Sequence, residues 1–170
     1  MRKQKFSTSY ILEKVHLTWT EVLWGYEHKL LNFLSVVEIA VNSLIDGSDN
    51  PLVIELAGLT NQESWRMEEI LKELSDKISS GTNSNEYKKW LYLTLDWVYT
   101  NLDSFIDPLS EIEEVYADFN YPQEMEQFIR YMPAQNGYDP SKYTQEENEK
   151  RLYQKWREYL IQAKKEFGNS

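Results

Sequence analysis

Three times the chain spells the reciprocal helix start in which a Thr side chain accepts an amide three residues on and a Glu there reaches back. These are Thr18-Trp19-Thr20-Glu21, Thr60-Asn61-Gln62-Glu63 and Thr144-Gln145-Glu146-Glu147. Two pairs of a capping residue and a proline read as helix starts, Asn50-Pro51 and Asp107-Pro108. The proline then falls at the first helical position, where its missing N–H has no partner to lose. Helix starts spread this evenly leave little chain for a sheet, and no segment alternates apolar and polar residues between hairpin turns. The expectation is an all-α fold: a single-domain irregular helical bundle over residues 1–170 with about seven to eight helices and no sheet. Residues 1–6 read as a flexible terminus.

The punctuation places the elements. Ser7 caps a first helix to about Lys14. The helix opened by Thr18 sets Val22, Leu23 and Tyr26 on one face and stops near His28. Asn32 caps a helix in which Val36, Val37, Ala40, Val41 and Leu44 recur at three-to-four spacing, and Asp46-Gly47 ends it. Pro51 starts a short helix; Thr60 leads one with Trp65, Ile70, Leu71, Leu74 and Ile78 along one side. Ser79 to Asn85 reads as a flexible loop, too short for a domain linker. A long helix over Glu86 to Leu102 buries Tyr87, Trp90, Leu91, Trp97 and Val98.

The helix from Pro108 runs to about Phe119 and is broken at Tyr121-Pro122, because a residue before proline resists the α region. Gln123 to Arg130 reads as a short helix and Pro133 to Tyr143 as a long loop. The last helix, to about Phe167, sets Leu152, Trp156, Leu160 and Ala163 on one face. The six tryptophans stand mostly at core spacings.

Composition excludes several chemistries. With no Cys there are no disulfides, thiolate nucleophiles or Cys-ligated zinc, which fits a reducing, cytoplasmic setting. The basic start Met1-Arg2-Lys3 is followed by no apolar run, so no signal peptide is expected, and no stretch is long and apolar enough for a membrane span. Two histidines, His16 and His28, leave little for acid–base work. No phosphate-cradling glycine loop, dinucleotide fingerprint or Gly-x-Ser-x-Gly occurs, so no catalytic residue and no cofactor is assigned. A net charge of −10 repels nucleic acid and anionic lipid as direct partners.

That charge is concentrated. Between Lys89 and Arg130 there is no basic residue and there are nine acidic ones, while the rest of the chain is nearly balanced. On a helix from Asp107, the carboxylates of Asp107, Glu111, Glu114 and Asp118 fall on one face, opposite Leu109, Ile112, Val115, Tyr116 and Phe119. Three readings are open. The face is solvated, or paired with Lys150, Arg151, Lys155 and Arg157 of the last helix. It docks a cationic partner. Or Glu111, Glu114 and Asp118 offer oxygen ligands to Mg²⁺ or Mn²⁺, as in a metal-dependent nucleotide hydrolase. Tyr131, Met132, Tyr138 and Tyr143 lie in or beside the loop that follows, where they would anchor a partner or pin the loop to the core.

Two segments carry a resemblance. One is Leu17-Thr18-Trp19-Thr20-Glu21-Val22-Leu23-Trp24-Gly25-Tyr26-Glu27-His28. The other runs Asp107-Pro108-Leu109-Ser110-Glu111-Ile112-Glu113-Glu114-Val115-Tyr116-Ala117-Asp118-Phe119-Asn120-Tyr121-Pro122 and on through Phe128-Ile129-Arg130-Tyr131-Met132-Pro133. Together they resemble a family of small bacterial proteins described as a domain of unknown function. That resemblance brings no catalytic residues. Small, acidic, cysteine-free bacterial proteins of this kind are similar in character to immunity proteins, which neutralise toxin domains delivered by neighbouring bacteria. The expected function is therefore an acidic protein-binding module that occludes a basic toxin domain. Asp107, Glu111, Glu114 and Asp118 would steer it, and Tyr131 and Tyr138 would anchor it. A metal-dependent hydrolase and a structural subunit are the alternatives.

Overall fold

The computed structural model describes residues 6–76 and 85–169. The fold is all-α: eight α-helices and four 3-10 segments, with no β-strand among the described residues. Ile78 and the Ser79–Asn85 loop up to residue 84 lie outside the described residues. Among the described residues no helix is long and apolar enough to cross a membrane. The chain gathers into two compact units, one running to Trp90 and including Asn169, the other Leu91–Gly168.

The first unit holds α1 (Thr8–Lys14), α2 (Trp19–Glu27), α3 (Phe33–Ile45), α4 (Pro51–Ala57), α5 (Met67–Asp76) and the start of α6 (Tyr87–Thr100). Helix α3 packs against α1, α2 and α4, and α5 against α2 and α4. Val22, Val36, Ala40, Leu56, Met67 and Leu71 are wholly buried there. The expected caps form: Ser7, Asn32 and Asn50 each accept a first-turn amide through the side chain, and Thr18 makes both bonds of its capping box. Glu21 has a second task. Its Oε2 accepts from the Thr18 amide at 2.8 Å and pairs with Lys89 Nζ at 2.9 Å.

Helices α2 and α3 end alike. In α2 the Leu30 amide donates to Gly25 O and the Lys29 amide to Tyr26 O; in α3 Ser48 donates to Ser43 O and Gly47 to Leu44 O. This paired return needs a left-handed residue after the helix, and Lys29 (φ 63°) and Gly47 (φ 103°) supply it.

The second unit holds the rest of α6, then α7 (Pro108–Asp118) and α8 (Gln145–Phe167), with 3-10 turns at Leu102–Ser104, Gln123–Phe128 and Pro140–Lys142. Its core is Leu91, Leu93, Leu95, Val98, Ile112, Val115, Met125, Phe128 and Trp156, all fully buried. The Trp156 indole is ringed by Tyr99, edge-on at 5.0 Å, and by Phe128 and Tyr153.

Four expectations need correcting. The Thr60 box opens a 3-10 turn, Asn61–Arg66, before α5. At about three residues per turn this shifts the phase, so Trp65 points outward and is 73% exposed. Only Trp90 and Trp156 of the tryptophans are core residues; Trp19, Trp24 and Trp97 are half-buried. Helix α3 buries Ser35, Val36, Ile39 and Ala40, leaving Val41 exposed. Gln123–Phe128 is 3-10 rather than α, which stacks Met125 directly under Phe128, both buried.

Candidate docking face of the second unit

Helix α7 is divided as its spacing predicts. Leu109, Ile112, Val115 and Tyr116 are buried. Of the four carboxylates expected on the open face, Glu114 is exposed, and Asp107, Glu111 and Asp118 are half-buried.

Asp107 holds a structural position. Its Oδ1 accepts the amides of Leu109 at 3.1 Å and Ser110 at 3.2 Å, and its Oδ2 accepts the Ser110 hydroxyl at 2.6 Å. Its counter-ion is Arg130, the first basic residue after the acidic stretch. Arg130 donates to Glu113 through Nε at 2.8 Å and Nη2 at 3.1 Å, and to Asp107 Oδ2 through Nη1 at 2.9 Å. A planar guanidinium matches a carboxylate in this forked geometry. The Ser110 hydroxyl beside Asp107, and then Arg130, hold the Asp107 carboxyl below its ordinary range against the opposing effect of burial. The bonds to Glu113 and Asp107 likewise keep Arg130 charged beyond its usual range, again against burial.

Three of the four α8 bases named as candidate counter-ions make contacts within the second unit. Lys150 pairs with Glu146 and Lys155 with Glu158 along the helix, and the Arg151 guanidinium lies 4.0 Å over the Tyr138 ring.

Fixing Arg130 on α7 sets the next residue beside it. Tyr131 is 60% exposed and its ring lies 6.2 Å from that of buried Tyr116. Tyr121, 59% exposed, also meets Tyr116, edge-on at 5.1 Å. Burial raises the Tyr116 and Tyr131 hydroxyl pKa values first. Glu126 adds to the rise at Tyr116, and Tyr121 and then Glu113 add to it at Tyr131.

Tyr121 arrives there through the stop of α7. The Tyr121 amide donates to Tyr116 O at 2.8 Å and the Asn120 amide to Ala117 O at 3.0 Å. Asn120 takes the left-handed position at φ 61°, and Tyr121 follows it there at φ 58°. A bulky residue at positive φ is strained. Sequence reasoning missed Tyr121 and Arg130 as site residues. The Asn120-Tyr121-Pro122 triplet signalled the helix end but not which way its tyrosine would face.

Tyr138 is of the other kind. Its hydroxyl donates to Asn148 Oδ1 at 2.6 Å, and its ring stacks on Tyr143 at 4.9 Å, so it pins the loop to α8. Among the described residues no three Asp, Glu or His side chains gather as metal ligands would, Glu111, Glu114 and Asp118 included. His16 is exposed and lies at the wall of a cleft of about 540 Å³ in the first unit.

Among the described residues, then, the fold is all-helical and its second unit carries an acidic, tyrosine-bearing face. The chain belongs to the family described as an uncharacterized protein conserved in bacteria (DUF2247), which matches residues 8–164. No curated protein and no solved structure matches it.

Proposed function

We propose that the second unit is a docking module for a cationic protein, and that the protein acts in the cytoplasm as an immunity-type inhibitor, occluding a basic bacterial toxin domain. The observation that carries this reading is the pair of exposed tyrosines, Tyr121 and Tyr131, set on buried Tyr116, with Tyr131 following the Arg130 that binds Glu113. Tyrosine gives a large, rigid contact with a polar tip and is over-represented among residues that dominate binding energy. Tyr121 keeps a strained backbone and a mostly exposed ring. That is the pattern of a residue retained for contact rather than for folding. The exposed Glu114 and half-buried Glu111 and Asp118 on the same helix would speed encounter with a basic surface and set its register.

The test is co-expression with the C-terminal domain of a large secreted protein, sought directly upstream of the gene in a genome that carries it. The intact chain should restore growth, and a Tyr121→Gly, Tyr131→Ala double variant should not. With Glu111→Lys and Glu114→Lys, association measured by stopped flow should slow and lose most of its salt dependence. Full protection by the double variant, together with association indifferent to salt, would dispose of the reading.

A further inference from the structure

The second unit also contains a cleft of about 420 Å³, beside the loop that follows Ile129 and the first turns of α8. Ile129, Met132, Pro133 and Leu152 give it apolar lining, and Tyr138 and Pro140 line it as well. Four charged residues reach it: Arg130, Arg151, Glu126 and Glu149. Both arginines are already engaged, Arg130 by Glu113 and Asp107 and Arg151 by the Tyr138 ring. An incoming anion would have to displace those contacts and would meet Glu126 and Glu149. A cation would find two carboxylates, in a unit that carries fifteen acidic residues against eight basic ones. The cleft adjoins the residues under the tyrosine face, because Met132, which lines it, accepts from the Tyr116 hydroxyl through Sδ at 3.9 Å.

We infer that this cleft is the anchor pocket for the cationic partner. It takes one bulky apolar side chain, aliphatic or aromatic, from a segment whose flanking Lys or Arg residues pair with Glu126 and Glu149. The inference rests on the docking reading above and adds to it the mode of recognition: an apolar anchor between basic neighbours. The lining favours this occupant. Its apolar surface gains from excluding water, while the acidic residues select against an acidic sequence.

Two synthetic peptides test it, Lys-Lys-Trp-Lys-Lys and the same sequence with Ala in place of Trp, titrated into the full isotope-labelled chain at low salt and followed by NMR. The Trp peptide should bind about tenfold more tightly or better, since a buried indole removes a large apolar area from water. Its shift changes should centre on Ile129, Met132 and Leu152. Leu152→Trp, which fills the cleft, should abolish the advantage. So should Ala134→Trp, an exposed rim position where a larger side chain leaves the core untouched. Glu126→Gln with Glu149→Gln should weaken both peptides.

Equal binding of the two peptides, or an advantage that survives both Trp variants, would overturn the pocket and leave the acidic face standing. Shift changes on another surface would do the same, as would line positions that move on dilution without peptide, since a second copy would then fill the cleft. If neither peptide bound at low salt, the docking reading itself would fall.

Discussion

The Tyr121 ring stands edge-on to Tyr116 at 5.1 Å, and the same two residues are joined by the 2.8 Å bond from the Tyr121 amide to Tyr116 O that closes α7. Helix stop and aromatic face are thus one piece of structure. Tyr121 pays for it with a left-handed backbone, which costs an L-residue about 1–2 kcal/mol. Tyr121→Gly should therefore leave the midpoint of urea unfolding unchanged or raise it, although a ring contact is lost. The same variant should weaken partner association by about tenfold or more if the ring is an anchor. A variant that lost stability and kept binding would show that the tyrosine serves the helix stop alone.

Asp107 is held as a carboxylate by Ser110 and Arg130, with its pKa lowered in the folded chain. A lowered folded pKa adds stability above the unfolded value, about 3.9, and that addition is lost as pH falls through the folded value. Asn caps helices about as well as Asp, so Asp107→Asn isolates the charge from the cap. The stability difference between the parent and this variant should be flat from neutral pH to about 4 and should shrink in more acid solution. Chemical unfolding at a series of pH values reads it directly. With side chains 33% and 43% exposed, the Arg130–Asp107 pair is screened by solvent, so the flat difference should be about 1 kcal/mol or less.

Two tryptophans are wholly buried, and they differ in one bond. Trp90 Nε1 donates to Glu21 O at 2.8 Å, whereas Trp156 Nε1 has no hydrogen-bond partner among the described residues. A buried donor left unpaired costs about 1–3 kcal/mol, and replacing Trp156 by Phe removes that burden along with some packing. At Trp90 the same change removes packing and the 2.8 Å bond to the Glu21 carbonyl, and relieves no unpaired donor. Thermal unfolding should accordingly show Trp90→Phe as clearly the more damaging of the two.

Gly25 is fixed by a neighbour rather than by its backbone. A Cβ there would run into Cζ2 of the Trp90 ring and lie 2.6 Å from its Cε2. The rigid indole, tied by its N–H to Glu21, has little freedom to retreat. Gly25→Ala should cost about 1–3 kcal/mol or more by overpacking, although alanine favours helix. If thermal unfolding showed Gly25→Ala neutral or stabilising, the close approach would be wrong.

Most of this fold is legible in the sequence because its rules are local. A capping Thr and a Glu three residues on, or an Asx before proline, act within one turn, so α2, α4, α7 and α8 start where their residues say. Burial is less legible. The Thr60 box names a helix start correctly but not that the first turn is 3-10, and that difference of phase sends Trp65 outward. The buried set of α3 is likewise chosen by α1, α2 and α4 around it, not by which of its residues are apolar.

The candidate site divides in the same way. Sequence alone determined that nine acidic residues lie together with no base among them, that a Pro-initiated helix carries several of them, and that Leu109, Ile112, Val115 and Tyr116 face inward. Only the tertiary structure decided which carboxylates are engaged. Arg130 lies twenty-three residues from Asp107 along the chain, yet its guanidinium reaches Asp107, Ser110 and Glu113 together. Only the tertiary structure, too, set Tyr121 and Tyr131 both against Tyr116 and turned Tyr138 to bind Asn148. The physical reason is range. Capping and helical period are read over three or four residues, whereas the partner of a charge or an aromatic ring is whatever the packing of distant segments brings within a few ångströms.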